Sequence, residues 1–441
     1  MFIGIDDTDS AITGMCTTYL ALEIVKAFPE LDVIGYPRLI RLNPMVPWKT
    51  RGNGAVSLQL GIGGKESFPV GQFDNEIIYG HEKYIGEGDV SIHEARERLS
   101  RIVERWGQFS DEKTNPGFVI TKERPDEELF WRAVREVIGV EDAISYLPEG
   151  SIYRGFKNGR GIIGSSASIA WNPAHDRTYE IIAYRSPERW GTEREIDEES
   201  VIEMDRKFPQ TFNNYDYRNR HIAISPNSPG PVLFGIRGDS VEELIPAMRS
   251  IRGEEPDRWT IFLTNQATDQ HIQEAEIGSI EPLSSYHTRG TVSSMPERIE
   301  GGHVIFTISD GDEIYCAAYE PTKEFRNTVS LLRPGDRIEV WGGVPEGKRN
   351  GRYTINLEKM KIVKTVEIKE KIANPLCPVC GKRMKSIGSG AGYRCVVCGR
   401  KAGEDEAEFR IVRGEERIKR GYYEVPVSAA RHLSKPLKRM K

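Results

Sequence analysis

The sequence predicts a multidomain protein of mixed α/β and α+β type that carries an OB-fold β-barrel and a C-terminal zinc ribbon. Its 441 residues are more than one hydrophobic core usually organises. Strand-like and helix-like segments alternate near the N-terminus, short strands follow one another from residue 278, and two CxxC pairs lie near the C-terminus. The expected units are residues 1–126, 127–277, 278–366 and 372–441.

The composition is that of a soluble globular protein, with 38% hydrophobic residues, 29% charged residues and a formal net charge of −5. Because the chain as a whole is mildly acidic, any nucleic-acid binding has to depend on local basic patches. No apolar run approaches the roughly 18 residues that span a bilayer, and the first residues predict a folded strand rather than a signal peptide. Two of the six cysteines, Cys16 and Cys316, are isolated, which favours a reducing cytoplasm over a disulfide framework.

The first unit has the pattern of an α/β fold. The expected strands cover 2–6, 33–42 and 54–61, and the expected helices cover 17–28 and 91–106. The 91–106 segment is strongly amphipathic, with Leu99, Ile102 and Val103 on one face and charges opposite. The segment 121–126 contains Pro125 and is expected to be the junction to the next unit.

The second unit mixes helices and strands in an order that favours an α+β domain of ferredoxin-like type. Helices are expected at 127–138 and 240–251, and strands at 161–170, 178–184, 221–225 and 232–236. The third unit is all-β, with short strands expected at 290–294, 303–309, 313–319, 337–343 and 353–357. Glycine, proline and aspartate lie between them, and five strands at this spacing match an OB barrel.

The two CxxC pairs predict a structural zinc site. Each pair of thiolates lies in a tight turn followed by glycine, so the backbone N–H groups of the turn stay free to stabilise thiolate charge. Four ligands complete a tetrahedron and leave no open position for catalysis. A redox dithiol would need a single CxxC at a helix start, so the tandem arrangement favours zinc. The four ligands are Cys377, Cys380, Cys395 and Cys398.

The acidic segment at the end of the first strand is the best catalytic candidate. Asp6, Asp7 and Asp9 cannot all be buried without compensating charge, and magnesium with triphosphate oxygens would supply that charge. The alternative is a solvated acidic turn. The small, hydroxyl-rich segment 14–18 favours the nucleotide site, because it precedes a helix start, where free N–H groups suit phosphate.

Several further loops leave two interpretations open. The segment 50–54 either wraps phosphate or forms an ordinary hairpin turn. The segment 61–67 resembles a P-loop, but Glu66 stands where that motif requires serine or threonine. The G-x-G-x-x-G match at 159–164 lacks an evident strand before it and helix after it, so it favours a pocket-shaping loop over a dinucleotide fold. The polar segment 264–271 is either a solvated loop or contacts RNA or orders the active site.

Basic and aromatic residues in the third unit suit RNA. Aromatic side chains there alternate with arginines, as in folds that stack bases and contact phosphates. Ten lysines and arginines face three glutamates between 410 and 441, which favours an RNA footprint over a merely solvated tail.

Taken together, these motifs resemble the archaeal tRNA(Ile) 2-agmatinylcytidine synthetases over nearly the whole chain. The motifs are GIDDTDS at 4–10, TRGNGA at 50–55, NPGFVI at 115–120, RGFKNGRGIIGSSASIA at 154–170, TNQATDQH at 264–271, HTRGTV at 287–292 and the paired CPVCG and CVVCG. The resemblance implies a kinase-like N-terminal domain that binds ATP and cleaves it to AMP, and a ferredoxin-like domain that helps to form an agmatine pocket. It implies that the OB barrel and zinc ribbon hold a CAU-anticodon isoleucine tRNA, whose wobble cytidine receives agmatine.

The resemblance also implies roles for individual residues. Catalytic residues would be Asp6, Asp7 and Thr18, with Asp6 and Asp7 also holding magnesium and Thr18 a phospho-acceptor. Residues that bind ATP would be Asp9, Arg51, Gly52, Asn53 and Gly54. We expect Asp216 and Gly161 at the agmatine pocket, and His287, Arg289 and Arg352 at the tRNA. The competing hypotheses are a non-catalytic tRNA-binding protein, an enzyme that attaches another amine such as lysine, and a protein or small-molecule kinase, for which the OB barrel and ribbon have no evident use.

Overall fold

The computed structural model describes residues 1–12, 14–50 and 52–440. The N-terminal strands are β1 (Phe2–Asp6), β2 (Asp32–Ile34), β3 (Arg38–Arg41), β4 (Gly54–Gly63), β5 (Ser67–Phe73), β6 (Glu76–His81), β7 (Tyr84–Gly86), β8 (Gly117–Thr121) and β9 (Ile152–Gly155). The helices are α1 (Leu20–Ala27), α2 (Ile92–Trp106), α3 (Glu128–Arg135) and α4 (Val140–Ser145). The predicted elements are present, except that the strand predicted at 33–42 is divided into β2 and β3 by a turn in which Gly35 adopts a φ of 69°.

The second part of the chain extends the same sheet. Its helices are α5 (Gly161–Ala170), α6 (Glu198–Lys207) and α7 (Leu244–Ser250), and its strands are β10 (Thr178–Tyr184), β11 (Thr211–Phe212), β12 (Tyr215–Asp216), β13 (His221–Ile222), β14 (Val232–Gly238) and β15 (Arg258–Thr264). The strand order is β11-β14-β10-β15-β5-β6-β2-β4-β1-β8-β9, and β3 pairs with both β15 and β4. One continuous sheet therefore joins the first two predicted units.

The strand predicted at 161–170 is wrong, because this segment is the buried helix α5. Its glycines, serines and alanines show no helical period, so periodicity could not separate a buried helix from a buried strand. The helix lies directly on β1, where a Cβ added at Gly4 would be 2.2 Å from the Ser165 carbonyl oxygen. The buried Ser165 hydroxyl donates to the Gly161 carbonyl at 2.6 Å, one turn back along the helix. Small residues here permit contact between backbones.

The structure also corrects the grounds given for the glycine-rich loop at 159–164. Strand β9 precedes the loop and α5 follows it, contrary to the prediction. However, β9 pairs antiparallel with β8, whereas a dinucleotide fold needs parallel strands around the crossover helix. A dinucleotide fold is therefore excluded by strand direction rather than by missing elements.

The third unit is a closed OB barrel. Its elements are β16 (Ile272–Glu274), β17 (Ser284–Val292), β18 (Glu297–Arg298), β19 (Val304–Asp310), β20 (Asp312–Ala318), α8 (Glu324–Ser330), β21 (Arg337–Val344) and β22 (Thr354–Lys364). The order β17-β21-β22-β20-β19 closes through pairing of β19 with β17, and β20 runs parallel to β22. This confirms the predicted barrel, in which the predicted 290–294 segment is the end of the longer strand β17.

The cysteine module follows the barrel, and the chain then returns to it. The elements are β23 (Ile368–Ala373), β24 (Lys385–Ser386), β25 (Tyr393–Arg394), β26 (Lys401–Ala402), β27 (Glu408–Val412), α9 (Gly414–Arg417) and β28 (Gly421–Glu424). Strands β24, β25 and β26 form the small sheet of the ribbon, and β28 pairs with β22 of the barrel. None of the helices in the described part of the chain is long and apolar enough to cross a membrane.

Residues 425–440, which we call the C-terminal strap, run back along the second part of the chain. The Ala267 and Asp269 N–H groups donate to the carbonyls of His432 and Leu433 at 2.8 and 2.9 Å. Three strap cations form ion pairs within the protein: Arg431 with Glu358, Lys435 with Asp176, and Arg439 with Asp176 and Asp239. The interpretation of these cations as an RNA footprint is therefore wrong, because their charge is used to dock the strap.

Candidate active site

A cavity of about 300 Å³ opens where the first two parts of the chain meet. Its lining includes residues from β1, the turn before α1, the 48–54 loop, β10, β14 and the strap. The lining residues that matter below are Asp6, Asp7, Asp9, Cys16, Thr17, Thr18, Gly52, Asn53, Gly54, Gly164, Glu180, Arg194, Arg237 and His432. The structure thus brings together the predicted acidic segment, Thr18 and the described part of the 50–54 loop.

The acidic cluster lies at the end of β1, partly buried in the cavity wall. Burial and the neighbouring charge of Asp7 raise the pKa of Asp6 well above its ordinary value. Burial raises the pKa of Asp7 to about 6, although the Asn115 N–H donates to its Oδ2 at 2.9 Å. Asp9 accepts a hydrogen bond from Thr50 Oγ1 at 3.2 Å. Carboxylates this crowded need a cation, and oxygen ligands of this kind suit Mg²⁺.

The position of the acids depends on the α5 contact. Ile3 and Ile5 of β1 enter the core that contains α1 and α2, while Gly4 faces α5 on the other side. A Cβ added at Gly164 would lie 2.0 Å from Asp6 Oδ2. The absence of a side chain at 164 therefore provides the space that the Asp6 carboxylate occupies.

Thr18 lies in the turn that opens the first helix. The predicted helix 17–28 begins with a 3-10 turn at Thr17–Tyr19, and no side chain caps that turn. The N–H groups of such a turn are available to a ligand in the cavity. The Thr8 hydroxyl donates to Thr17 Oγ1 at 3.0 Å, and Thr18 Oγ1 lies 3.0 Å from Cys16 Sγ. This network holds the two buried hydroxyls at the edge of the cavity.

The glycine loop crosses directly over the guanidinium of Arg41. A Cβ at Gly52 would lie 2.7 Å from Arg41 Nη1, and one at Gly54 would lie 2.9 Å from it. Asn53 adopts a φ of 48° and its side-chain amide donates to the Asn43 carbonyl at 2.8 Å. Arg51, which was expected to bind the nucleotide, lies outside the described residues. The loop is therefore shaped by Arg41 beneath it, not only by its own turn.

The polar segment 264–271 orders the cavity wall and is not a solvated loop. Asn265 is buried and makes two hydrogen bonds with the backbone of Arg41, at 2.7 and 2.9 Å. Gln266 accepts from Arg41 Nε at 3.3 Å and donates to Glu180. His271 is fully buried against Glu358 of the barrel at 3.1 Å. Of the alternatives left open by the sequence, the structure favours ordering of the site.

The two residues expected at an agmatine pocket are outside the lining of this cavity. Asp216 accepts from the Asn219 N–H at 3.0 Å and from the Asn219 amide at 2.9 Å, so its carboxylate holds its own turn. Gly161 lies at the start of α5, where a Cβ would be 2.3 Å from the Gly117 nitrogen. Both positions have a packing role in the structure.

The residues expected to contact tRNA lie on the barrel. His287 stacks on Trp341 with ring centroids 4.0 Å apart and an interplanar angle of 5°. Arg289 is exposed on the same strand. Arg352 is half-exposed and forms an ion pair with Glu313 at 2.7 Å. Stacked rings beside exposed cations are suitable for bases and phosphates.

The four cysteines of the ribbon have the geometry of a tetrahedral metal site. Their sulfur atoms all lie within 4.8 Å of one another, and Cys377 Sγ is 3.6 Å from Cys398 Sγ. Zinc–sulfur bonds of about 2.3 Å would separate two ligands by roughly 3.8 Å. Backbone N–H groups of Cys398 and Val397 lower the pKa of Cys395 to about 6, which favours the thiolate. The residues therefore fit Zn²⁺ as the sequence predicted.

Sequence reasoning missed the cavity residues that come from distant segments. Glu180 and Arg237 lie on the adjacent strands β10 and β14, and Arg237 Nε donates to Glu180 Oε1 at 3.1 Å. A charged residue inside each of two otherwise apolar strands was the available signal. His432 arrives through the strap, and its only signal was the tail that was assigned to RNA.

Family models match the chain along most of its length. A model described as the TiaS TCKD domain matches residues 2–156, the TiaS FLD domain matches 159–271, an OB-fold nucleic acid binding domain matches 286–363, and the TiaS C-terminal zinc ribbon domain matches 374–414. The predicted boundary at 126/127 differs from these limits, and pairing of β8 with β9 carries the first sheet beyond it.

Curated relatives match over the full length. The tRNA(Ile) 2-agmatinylcytidine synthetase TiaS of Archaeoglobus fulgidus is 45% identical, over 100% of this chain and 97% of the relative. The corresponding protein of Methanocaldococcus jannaschii is 43% identical, over 99% and 98%.

Solved structures of that family are also similar. A crystal structure of TiaS with its isoleucine tRNA and ATP is 43% identical, with a TM-score of 0.81 over 100% of this chain and 97% of that one. A complex with tRNA, AMPCPP and agmatine is 41% identical, with a TM-score of 0.77 over the same shares. With the four matching models and full-length relatives at this identity, the chain belongs to the tRNA(Ile) 2-agmatinylcytidine synthetase (TiaS) family.

Proposed function

We propose that this chain is the ATP-dependent ligase that converts the wobble cytidine of CAU-anticodon isoleucine tRNA into 2-agmatinylcytidine, so that the tRNA decodes AUA. The observation that carries the proposal is the cavity that joins a carboxylate cluster, a threonine-rich turn and a glycine loop. Relatives that share the whole chain are named for this synthesis, and related crystal structures contain ATP, agmatine and the tRNA.

The chemistry follows from the poor leaving-group character of the cytosine C2 oxygen. An amine does not displace that oxygen directly. Phosphorylation of the oxygen makes phosphate the leaving group, and the primary amine of agmatine then attacks C2. Catalysis of this kind depends mostly on positioning and on neutralising charge. The target cytidine has to leave its stack, at a cost of a few kcal/mol that is smallest for an anticodon base.

For the nucleotide half of the cavity, we assign Mg²⁺ to Asp6 and Asp7, with Asp9 close by. The raised pKa values of the first two carboxyls support this assignment, since a bound cation would hold both as carboxylates. Thr18 takes the phosphate end and is the proposed phospho-acceptor. The glycine loop, with Gly52, Asn53 and Gly54, steadies the triphosphate, and Arg51 keeps the same expected role.

For agmatine, a guanidinium-binding wall of the cavity supports the proposal. Arg194 donates from three nitrogens to the carbonyl oxygens of Val232, Pro226 and Ser228, at 2.8, 2.9 and 2.8 Å. Backbone carbonyls of this segment therefore already satisfy one guanidinium, and we place the guanidinium end of agmatine on this side. The roles first expected for Asp216 and Gly161 stay predictions, with no support from their positions.

At the level of domains, we propose a kinase-like domain, a ferredoxin-like domain, the OB barrel and the zinc ribbon, in that order. The expected limits 1–126, 127–277, 278–366 and 372–441 stay predictions. The barrel and ribbon hold the tRNA, with His287, Arg289 and Arg352 as contacts. We expect no obligate protein partner, and the isolated cysteines support a cytoplasmic location.

The experiment that tests the proposal measures AMP formation by the purified chain with ATP, Mg²⁺, agmatine and unmodified CAU-anticodon isoleucine tRNA. We expect AMP only when both agmatine and this tRNA are present, and an inactive Asp7→Asn variant that still binds tRNA. AMP formation with lysine in place of agmatine would favour an enzyme for another amine. A chain that binds tRNA but neither binds nor cleaves ATP would contradict the proposal and favour the non-catalytic tRNA-binding protein.

A further inference from the structure

The C-terminal strap places one titratable side chain, His432, inside the cavity. The backbone of this residue is fixed by the Ala267 N–H, which donates to its carbonyl at 2.8 Å. Its imidazole lines the cavity and is exposed there, although protein surrounds the segment. A side chain that is deep in the molecule yet exposed is available to a ligand rather than to bulk solvent.

The hydrogen bond to Arg237 fixes the tautomer of this imidazole. Arg237 Nη2 lies 3.0 Å from His432 Nδ1. A guanidinium only donates, so Nδ1 accepts and the proton of the neutral ring is on Nε2. The charge of Arg41, burial and the charge of Arg237 hold the pKa of His432 well below its ordinary value. His432 is therefore a neutral ring with a single N–H donor at Nε2.

That donor lies against the glycine loop. A Cβ added at Gly52 would be 3.2 Å from His432 Nε2 and 2.7 Å from Arg41 Nη1. In the described part of the chain, no residue accepts a hydrogen bond from Nε2. The charges that face the ring are the guanidiniums of Arg41 from β3 and Arg237 from β14, and Arg237 is paired with Glu180 of β10. Two donors from separate segments therefore converge at the glycine that permits a close approach.

We propose that His432 is a substrate-binding residue of the reaction centre, and that its Nε2–H donates to a phosphoryl oxygen of the nucleotide held by the glycine loop beside Arg41. This inference rests on the proposed function, because it identifies which group of that site receives the phosphate oxygen. A cationic ligand such as agmatine would be repelled by the two guanidiniums. An anionic oxygen is attracted by both, and it accepts from an N–H donor more strongly than a neutral acceptor does.

The test uses two replacements that each retain one nitrogen position of the ring. His432→Asn keeps an acceptor near Nδ1 for Arg237 and removes the distal donor, whereas His432→Gln keeps a donor near the Nε2 position. The affinity of the full-length protein for Mg²⁺ and a non-hydrolysable ATP analogue is measured by calorimetry. We expect His432→Asn to lose about 10- to 100-fold in affinity, as one hydrogen bond to a charged oxygen predicts. We expect His432→Gln to keep most of it, and His175→Asn, a control at an exposed histidine, to match the wild type.

A second measurement separates ligand contact from a purely structural role. In wild-type protein labelled with ¹⁵N-histidine, the His432 signals are assigned by their absence from His432→Asn. We expect the Nε2–H tautomer in the free protein and a shift of its resonance when Mg²⁺ and the analogue are added. If both variants bind weakly but the wild-type resonance stays unchanged, His432 is structural and the proposal is overturned.

Two other results would also overturn it: an unchanged affinity of His432→Asn for the analogue, or an effect confined to the KM for tRNA, which would assign the ring to the cytosine instead. If the wild type binds the analogue but forms no 2-agmatinylcytidine, the proposed function fails while these binding results still decide the role of His432.

Discussion

Removing the charge of Asp7 should stabilise the protein when no ligand is bound, and should weaken the binding of Mg²⁺ and nucleotide. Burial raises the pKa of Asp7 from 3.8 to about 6. Because the pKa in the folded protein is above that in the unfolded chain, the carboxyl lowers the free energy of unfolding as pH rises through this interval. The difference of about 2 units corresponds to about 3 kcal/mol, an upper limit because the side chain is only partly buried.

Asparagine is a suitable replacement at this position. Asp7 has a φ of 54°, and asparagine tolerates that conformation as well as aspartate does. Its side-chain oxygen can still accept the Asn115 N–H. Without ligand, Asp7→Asn should therefore unfold at a temperature a few degrees higher than the wild type at pH 8, and this difference should disappear below about pH 4. Differential scanning calorimetry across this pH range measures both.

With Mg²⁺ and a non-hydrolysable ATP analogue, the order should reverse, because only the wild type gains the full stabilisation of the bound complex. Asp111→Asn is a matched control of opposite sign. The Ser10 hydroxyl and the Lys113 N–H lower the pKa of Asp111, so the same substitution there should lower stability at neutral pH. A ligand-free Asp7→Asn protein that is less stable than the wild type at pH 8 would refute the reasoning, and would make Asp7 a structural residue.

Three further predictions follow from the described contacts. Gly164→Ala should displace the Asp6 carboxylate, since the new methyl group would lie 2.0 Å from Asp6 Oδ2, and should lower nucleotide affinity in calorimetry, whereas Gly347→Ala, with open space around it, should not. A chelator or Cys395→Ser should release the zinc of the ribbon and weaken tRNA binding in a filter assay while nucleotide affinity is kept, because the ribbon folds around its metal; loss of nucleotide affinity would contradict this separation. His271→Ala should destabilise the protein by about 3–5 kcal/mol at pH 7 in urea unfolding, because it removes a partner of the buried Glu358. Burial raises the pKa of Glu358, but His271, Arg431 and Lys359 outweigh it and lower the pKa to about 2, so the stabilisation is present above about pH 4.5 and is lost toward pH 2; equal stabilities at pH 7 would show that the pair contributes nothing.

The parts of the site that are local in sequence could be predicted, and the parts that meet only in three dimensions could not. Asp6, Asp7 and Asp9 occupy one strand end, and the four cysteines form two short turns, so their chemistry is visible as spacing. Glu180, Arg237 and His432 come from two strands and a distant strap. Their meeting depends on the pairing of β10 with β14 and on the hydrogen bonds of the strap to 267–269, which no local pattern contains.

The fold errors have similar physical causes. Helix α5 was predicted as a strand because a helix buried on every side has no polar face and therefore no period. Its glycine, alanine and serine content was the better signal, since these residues are not typical of strands. The basic tail was assigned to RNA because its cations were counted without their partners. Asp176, Asp239 and Glu358, which pair with them, lie far away in sequence.

The most direct test of the central claim incubates the protein with ATP, Mg²⁺, labelled agmatine and unmodified CAU-anticodon isoleucine tRNA, and measures label in the RNA. The account predicts incorporation that requires ATP and disappears when the wobble cytidine is replaced by uridine. Absence of incorporation while the protein still binds this tRNA and ATP, or incorporation that persists after the wobble replacement, would contradict it.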